Sequence, residues 1–210
     1  GVQIVSACPF YEPEYPVKIY SSGTMTSGGS VLSGIEIGSA GNNSMQVSSG
    51  GTVYDTRLGS GGEMKISSGG TASGTVMNGG TMNISSAGTA ADTAMSGGIM
   101  NVYSGAAANG VNIYSDARVA VYNGTVRNAM VRGGTLTAVN AVASGTVLHA
   151  GKLNVSSGGI HQTVHGDGSR GGMSAAQNGV CGKLQDCAGM DFRILKNSAG
   201  RYGSGPSAEY

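Results

Sequence analysis

Tryptophan is absent from this chain of 210 residues, phenylalanine occurs twice, and only 11% of the residues are charged. That composition is far from that of an ordinary globular domain, so length alone predicts little about the fold. Twelve basic side chains stand against eleven acidic ones, a formal charge of +1. Such a balance offers no basic field to a phosphate backbone, and nucleic acid is not an expected partner. No segment supplies about 18 consecutive apolar residues, so no membrane insertion of this segment is expected, and the opening GVQIVSACPFYEPEYP lacks the basic start and apolar run of an export signal.

Glycine, by contrast, occurs 39 times. Collagen would require it at every third position, which the sequence does not show. Repeated tight turns explain it better, because glycine accepts positive φ without a Cβ clash. Aligned on itself, the chain repeats: NSMQVSSGGTVYDTRLGSG from Asn43, GEMKISSGGTASGTVMNG from Gly62, GTMNISSAGTAADTAMSG from Gly80 and GIMNVYSGAAANGVNIYS from Gly98 share one pattern at steps of 18 or 19 residues. The unit continues from Ala117, Gly134 and Gly151. A period this short marks a solenoid.

Each unit carries an alternating pair in its first half: Met45/Val47, Met64/Ile66, Met82/Ile84, Met100/Val102, Val119/Val121, Leu136/Ala138 and Leu153/Val155. A period of two reads as a strand with these side chains inward and Gln46, Lys65, Asn83, Asn101 and Asn154 outward. A second pair follows, as in Thr75/Met77, Thr93/Met95, Val111/Ile113, Ala129/Val131 and Thr146/Leu148. The expected fold is therefore all-β: a single-stranded, right-handed β-solenoid of 18–19-residue coils with two short strands per repeat. The glycine pairs, among them Gly79-Gly80, Gly97-Gly98 and Gly133-Gly134, are expected between strands. Stacked coils bury what one coil cannot. Neighbouring Asn83 and Asn101 are placed to form an amide stack.

The regular solenoid is expected over residues 21–167, behind an irregular or capping segment at 1–20 containing Pro9, Pro13 and Pro16, and ahead of degenerate coils and a cap or tail at 168–210. Within the latter, residues 171–175 and 188–192 look like degenerate first strands.

The recurring Ser48-Ser49-Gly50-Gly51-Thr52, Ser67-Ser68-Gly69-Gly70-Thr71 and Ser85-Ser86-Ala87-Gly88-Thr89, with Ser156-Ser157-Gly158-Gly159 later, resemble the AIDA-type repeat of bacterial autotransporter adhesin passenger domains over roughly residues 20–165. The resemblance implies an extracellular or outer-surface location, adhesion or aggregation as the function, and, as in some members, heptose on Ser or Thr. It makes Ser48, Ser67, Ser85 and Ser156 candidate glycosylation positions, with a heptosyltransferase as modifying partner and host or neighbouring-cell surface molecules, or further copies of the chain, as binding partners. Turn chemistry and solvation explain the same serines without modification. No translocator barrel follows the repeats here, so a passenger fragment, or a filament or phage surface component built on the same repeat, is expected.

No constellation of an enzyme stands out, and no cofactor or metal is expected. His161, His165 and Asp167 resemble a metal cluster only superficially, and Asp55, Asp92, Asp116 and Asp167 lack the periodic spacing of calcium-binding rolls. Glycoside hydrolysis would need paired carboxylates, which are missing, so a carbohydrate-binding module ranks below adhesion and self-assembly. Tyr103, Tyr114 and Tyr122 each follow an inward residue, giving either an aromatic contact surface or stabilising contacts between coils. Cys8 precedes the stack and Cys181 and Cys187 follow it. Seven coils at about 4.8 Å separate the ends by about 34 Å, whereas a disulfide needs Cα atoms within about 7 Å. A local Cys181–Cys187 bridge or three reduced thiols remain.

Overall fold

The computed structural model describes residues 31–38, 43–156 and 158–159 with their side chains, and the strands Val17–Ile19, Thr24–Gly28, Ile160–Gly166, Gly171–Ala176 and Asp191–Leu195 by their backbone. Every strand pairing is parallel, and no helix occurs among the described residues. The chain is an all-β solenoid, as its repeat implies.

Three faces make up each coil. The first face carries the first inward pairs, as in Ser44–Ser48, Glu63–Ile66 and Arg118–Tyr122. A short second face follows, as in Thr52–Tyr54, Thr71–Ser73 and Thr89–Ala91. The third face carries the second inward pairs, as in Arg57–Leu58 and Asn112–Ile113. Both strands read from the sequence are therefore present, and a third lies between them. Its three residues bury one side chain per coil, Val53, Ala72, Ala90, Ala108, Val126 or Ala143, so no alternating pair betrays it.

Down the first face the register runs Met45↔Met64↔Met82↔Met100↔Val119↔Leu136↔Leu153, with steps between 17 and 19 residues. Thr24–Gly28 pairs with Ser44–Ser48 and Val17–Ile19 with Ile35–Ile37, while Gly171–Ala176 and Asp191–Leu195 extend the ladder at the other end. Met64, Ile66, Met82 and Ile84 are fully buried, Lys65 is exposed and Asn83 half-buried. Each large side chain so enclosed contributes about 1.5–3 kcal/mol. Core composition varies in compensation: Met, Ile, Ala, Thr and Met fill the coil from Met64 to Met77, whereas Val119, Val121, Val126, Ala129 and Val131 fill that from Val119.

The corners differ in chemistry. After the first face, Gly51, Gly70 and Gly88 donate backbone N–H to the carbonyls of Ser48, Ser67 and Ser85 at 2.9, 2.8 and 2.9 Å. The two central residues, such as Ser49 (φ 52°) and Gly50 (φ 74°), or Ser86 (48°) and Ala87 (64°), both have positive φ, the mark of a type I′ turn. The corner after the second face alternates Asx and glycine at positive φ: Asp55, Gly74, Asp92, Gly110, Asn128, Gly145. The Oδ1 atoms of Asp55, Asp92 and Asn128 lie 2.7 Å from where a Cβ would stand on the next glycine. At the third corner, Gly79-Gly80, Gly97-Gly98 and Gly133-Gly134 do not interrupt strands, contrary to the sequence expectation. They lie within the continuous strands Val76–Ile84, Ala94–Val102 and Met130–Val139, which bend through register shifts after Met77 and Val131.

Candidate functional site

Outward residues of the first face form rows along the solenoid because parallel, in-register coils place equivalent positions about 4.8 Å apart. In the middle row, Asn101 Nδ2 donates to Asn83 Oδ1 at 2.9 Å, and Asn83 Nδ2 donates to Glu63 Oε1 at 3.1 Å. The amide stack foreseen between Asn83 and Asn101 thus exists, and it ends on a carboxylate. Lys65 Nζ lies 3.1 Å from the other oxygen of Glu63, with its side chain 52% exposed, so this ion pair contributes little by itself. Farther along, Asn154 Nδ2 donates to Thr137 Oγ1 at 3.4 Å.

At the corner after this face, Ser48, Ser67 and Ser85 occupy one column and are half-buried, as is Ser156. Their successors Ser49, Ser68 and Ser86 are exposed, in a left-handed conformation that serine adopts at some cost. In these three pairs the second serine is therefore the one turned toward solvent. The repeat resemblance singles out the first; the positive φ that places the second outward belongs to the turns at Ser49, Ser68 and Ser86.

The serine column is interrupted. Tyr103 and Tyr122 take its place in the next two coils, their rings stacked at 5.9 Å between centroids and 19° between planes. Each of the two residues is 40% exposed. Tyr114 does not join them: it sits at the third corner, where the Arg132 guanidinium lies 5.9 Å from its ring centroid. Two of the three tyrosines are thus brought together, and the third belongs to another edge. Asp55 and Asp92 share a corner column two coils apart, while Asp116 lies in the turn after Tyr114. Cys8, Cys181 and Cys187 lie outside the described residues, as do the side chains of His161, His165 and Asp167.

No family model and no curated protein matches the sequence. Among solved structures, the chain is similar to a TibA fragment hyper-glycosylated by TibC, at 19% identity and a TM-score of 0.52, over 90% of this chain and 94% of that one. The chain has the fold of that fragment. The likeness extends through most of both molecules, so the TibA architecture accounts for the stack as a whole and not for a few coils of it. The AIDA-type resemblance carried by the SSGGT corners and this match in architecture point to the same kind of solenoid.

Proposed function

We propose that the chain is a non-enzymatic, surface-exposed β-solenoid that mediates bacterial attachment or aggregation, and that its serine corners accept sugar. The observation that carries this reading is the match in architecture over 90% of the chain to a glycosylated TibA fragment, in a molecule whose own corners repeat exposed serines. Sugar transfer would join the anomeric carbon of a nucleotide-activated sugar to a serine Oγ, breaking the anomeric C–O bond to the donor and releasing the nucleoside diphosphate and the hydroxyl proton. Ser48, Ser67, Ser85 and Ser156 are the acceptors first suggested by the repeat; their neighbours Ser49, Ser68 and Ser86 offer the more accessible hydroxyls.

Display of the chain on a non-adherent bacterial strain tests attachment. Faster cell settling or increased binding to host-cell monolayers, reversed by surface proteolysis, is expected; unchanged settling and binding with the chain verified at the surface would reject adhesion. Co-expression with TibC, followed by peptide mapping, tests modification. Sugar-sized mass additions on the serine-corner peptides are expected, and unmodified peptides at full coverage would reject acceptance of sugar from that enzyme.

A further inference from the structure

The near-neutral total conceals an uneven distribution. Residues 31–116 contain Glu36, Asp55, Glu63, Asp92 and Asp116 against Arg57 and Lys65, whereas residues 117–159 contain Arg118, Arg127, Arg132 and Lys152 and no acid. Three of these four cations converge on one margin of the first face. Arg118 pairs in register with Thr135, and Thr135 with Lys152, which places the two cations in one row two coils, about 10 Å, apart. Arg132 lies just ahead of Thr135 at the adjoining corner, beside the Tyr114 ring. All three are exposed, and none forms an ion pair with a described residue. Asp116 lies in the turn before Arg118, and Glu63, whose carboxylate is engaged by Asn83 and Lys65, stands in the same row three coils from Arg118.

We propose that this margin, with the face beside it, binds an acidic polysaccharide. The inference rests on the adhesion reading and names its ligand class. Two rows of distinct chemistry run side by side: cations to meet carboxylate or sulfate groups, and Thr137 and Asn154 to exchange hydrogen bonds with sugar hydroxyls. The span from Arg118 to Lys152 is close to the length of a disaccharide. Tyr114, beside Arg132, is the aromatic side chain at this margin, and a single ring cannot stack a run of successive bases as single-strand binders do. A saccharide chain lying along the solenoid is therefore favoured over nucleic acid. Sequence reading misses the site because Arg118 and Lys152 are 34 residues apart, and only the 17-residue coils at this end align them.

Anisotropy of fluorescein-labelled heparin, titrated with the full chain at increasing NaCl, tests the proposal. Binding should weaken with salt as counterions are released from a few contacts. The Arg118→Gln/Lys152→Gln variant should bind at least tenfold more weakly, while Arg57→Gln/Arg127→Gln, which loses the same charge elsewhere, should stay within twofold of the parent, both with unchanged circular dichroism. Equal losses in the two variants, or tighter binding of a single-stranded oligonucleotide than of heparin, would overturn the assignment. Absence of heparin binding by a chain that still confers attachment when displayed would sink this inference and leave adhesion standing; heparin binding without attachment would support the site and reject adhesion.

Discussion

Thr56, Thr75 and Thr93 follow one another in a single third-face column, fully buried, with no partner for Oγ1. The same column holds Ile35 before them and Val111 after, so the space accepts an apolar branched side chain. An unmatched buried hydroxyl costs about 1–3 kcal/mol. Thr75→Val should therefore stabilise the monomer by about 1 kcal/mol, seen as a melting temperature higher by about 2–4 °C; a lower melting temperature would show that the hydroxyl is bonded. Opposite behaviour is expected at Ile84, whose neighbour Asn83 faces out. Ile84→Asp puts an unpaired carboxylate into the core and should cost roughly 4 kcal/mol or more. Asn83→Asp exchanges one donor for a charge near Glu63 at a half-exposed site and should cost about 1 kcal/mol. Chemical denaturation of the two variants decides, and equal losses would contradict the facing of the strand.

Turns show how adjacent glycines do different work. At Gly69 (φ 76°) nothing stands within 4 Å of an added Cβ, and the equivalent residue one coil on is Ala87 at φ 64°. At Gly70 the added Cβ would meet the carbonyl oxygen of Val47 in the coil below. Gly69→Ala should consequently cost only the left-handed strain, about 1–2 kcal/mol. Gly70→Ala should cost distinctly more because backbone must shift; a smaller effect at Gly70 than at Gly69 in thermal melts would contradict the stacking at this corner. Alanine enters the Gly70 column at Ala106, where only Gly105 of the turn has positive φ. At this scale the first and third faces were legible, since paired inward residues such as Met82/Ile84 and Thr93/Met95 announce a period of two. The second face was not, because strands such as Thr71–Ser73 bury a single alanine. Strand continuity through Gly79-Gly80 was hidden too, since composition does not distinguish a bend from a turn. The serine corners were legible as turns, but the exposure of Ser49, Ser68 and Ser86 depends on backbone sign, and the pairing of Tyr103 with Tyr122 on coil register.

For the whole molecule, the central claim is that coils stack one upon another in register, so that distance along the solenoid grows with the number of coils and not with packing around a compact centre. The outward row Gln46, Lys65, Asn83, Asn101, Ala120, Thr137 and Asn154 is paired coil by coil and supplies a ruler. Pulsed electron spin resonance on chains with the native cysteines changed to serine and spin labels at Gln46→Cys and a second position measures it directly. Labels at Ala120, Thr137 and Asn154 lie four, five and six coils from Gln46, so the distance should rise from about 19 to about 24 to about 29 Å. Equal increments of about 4.8 Å per coil are the predicted result; distances that fail to grow from Ala120 to Asn154 would contradict the solenoid.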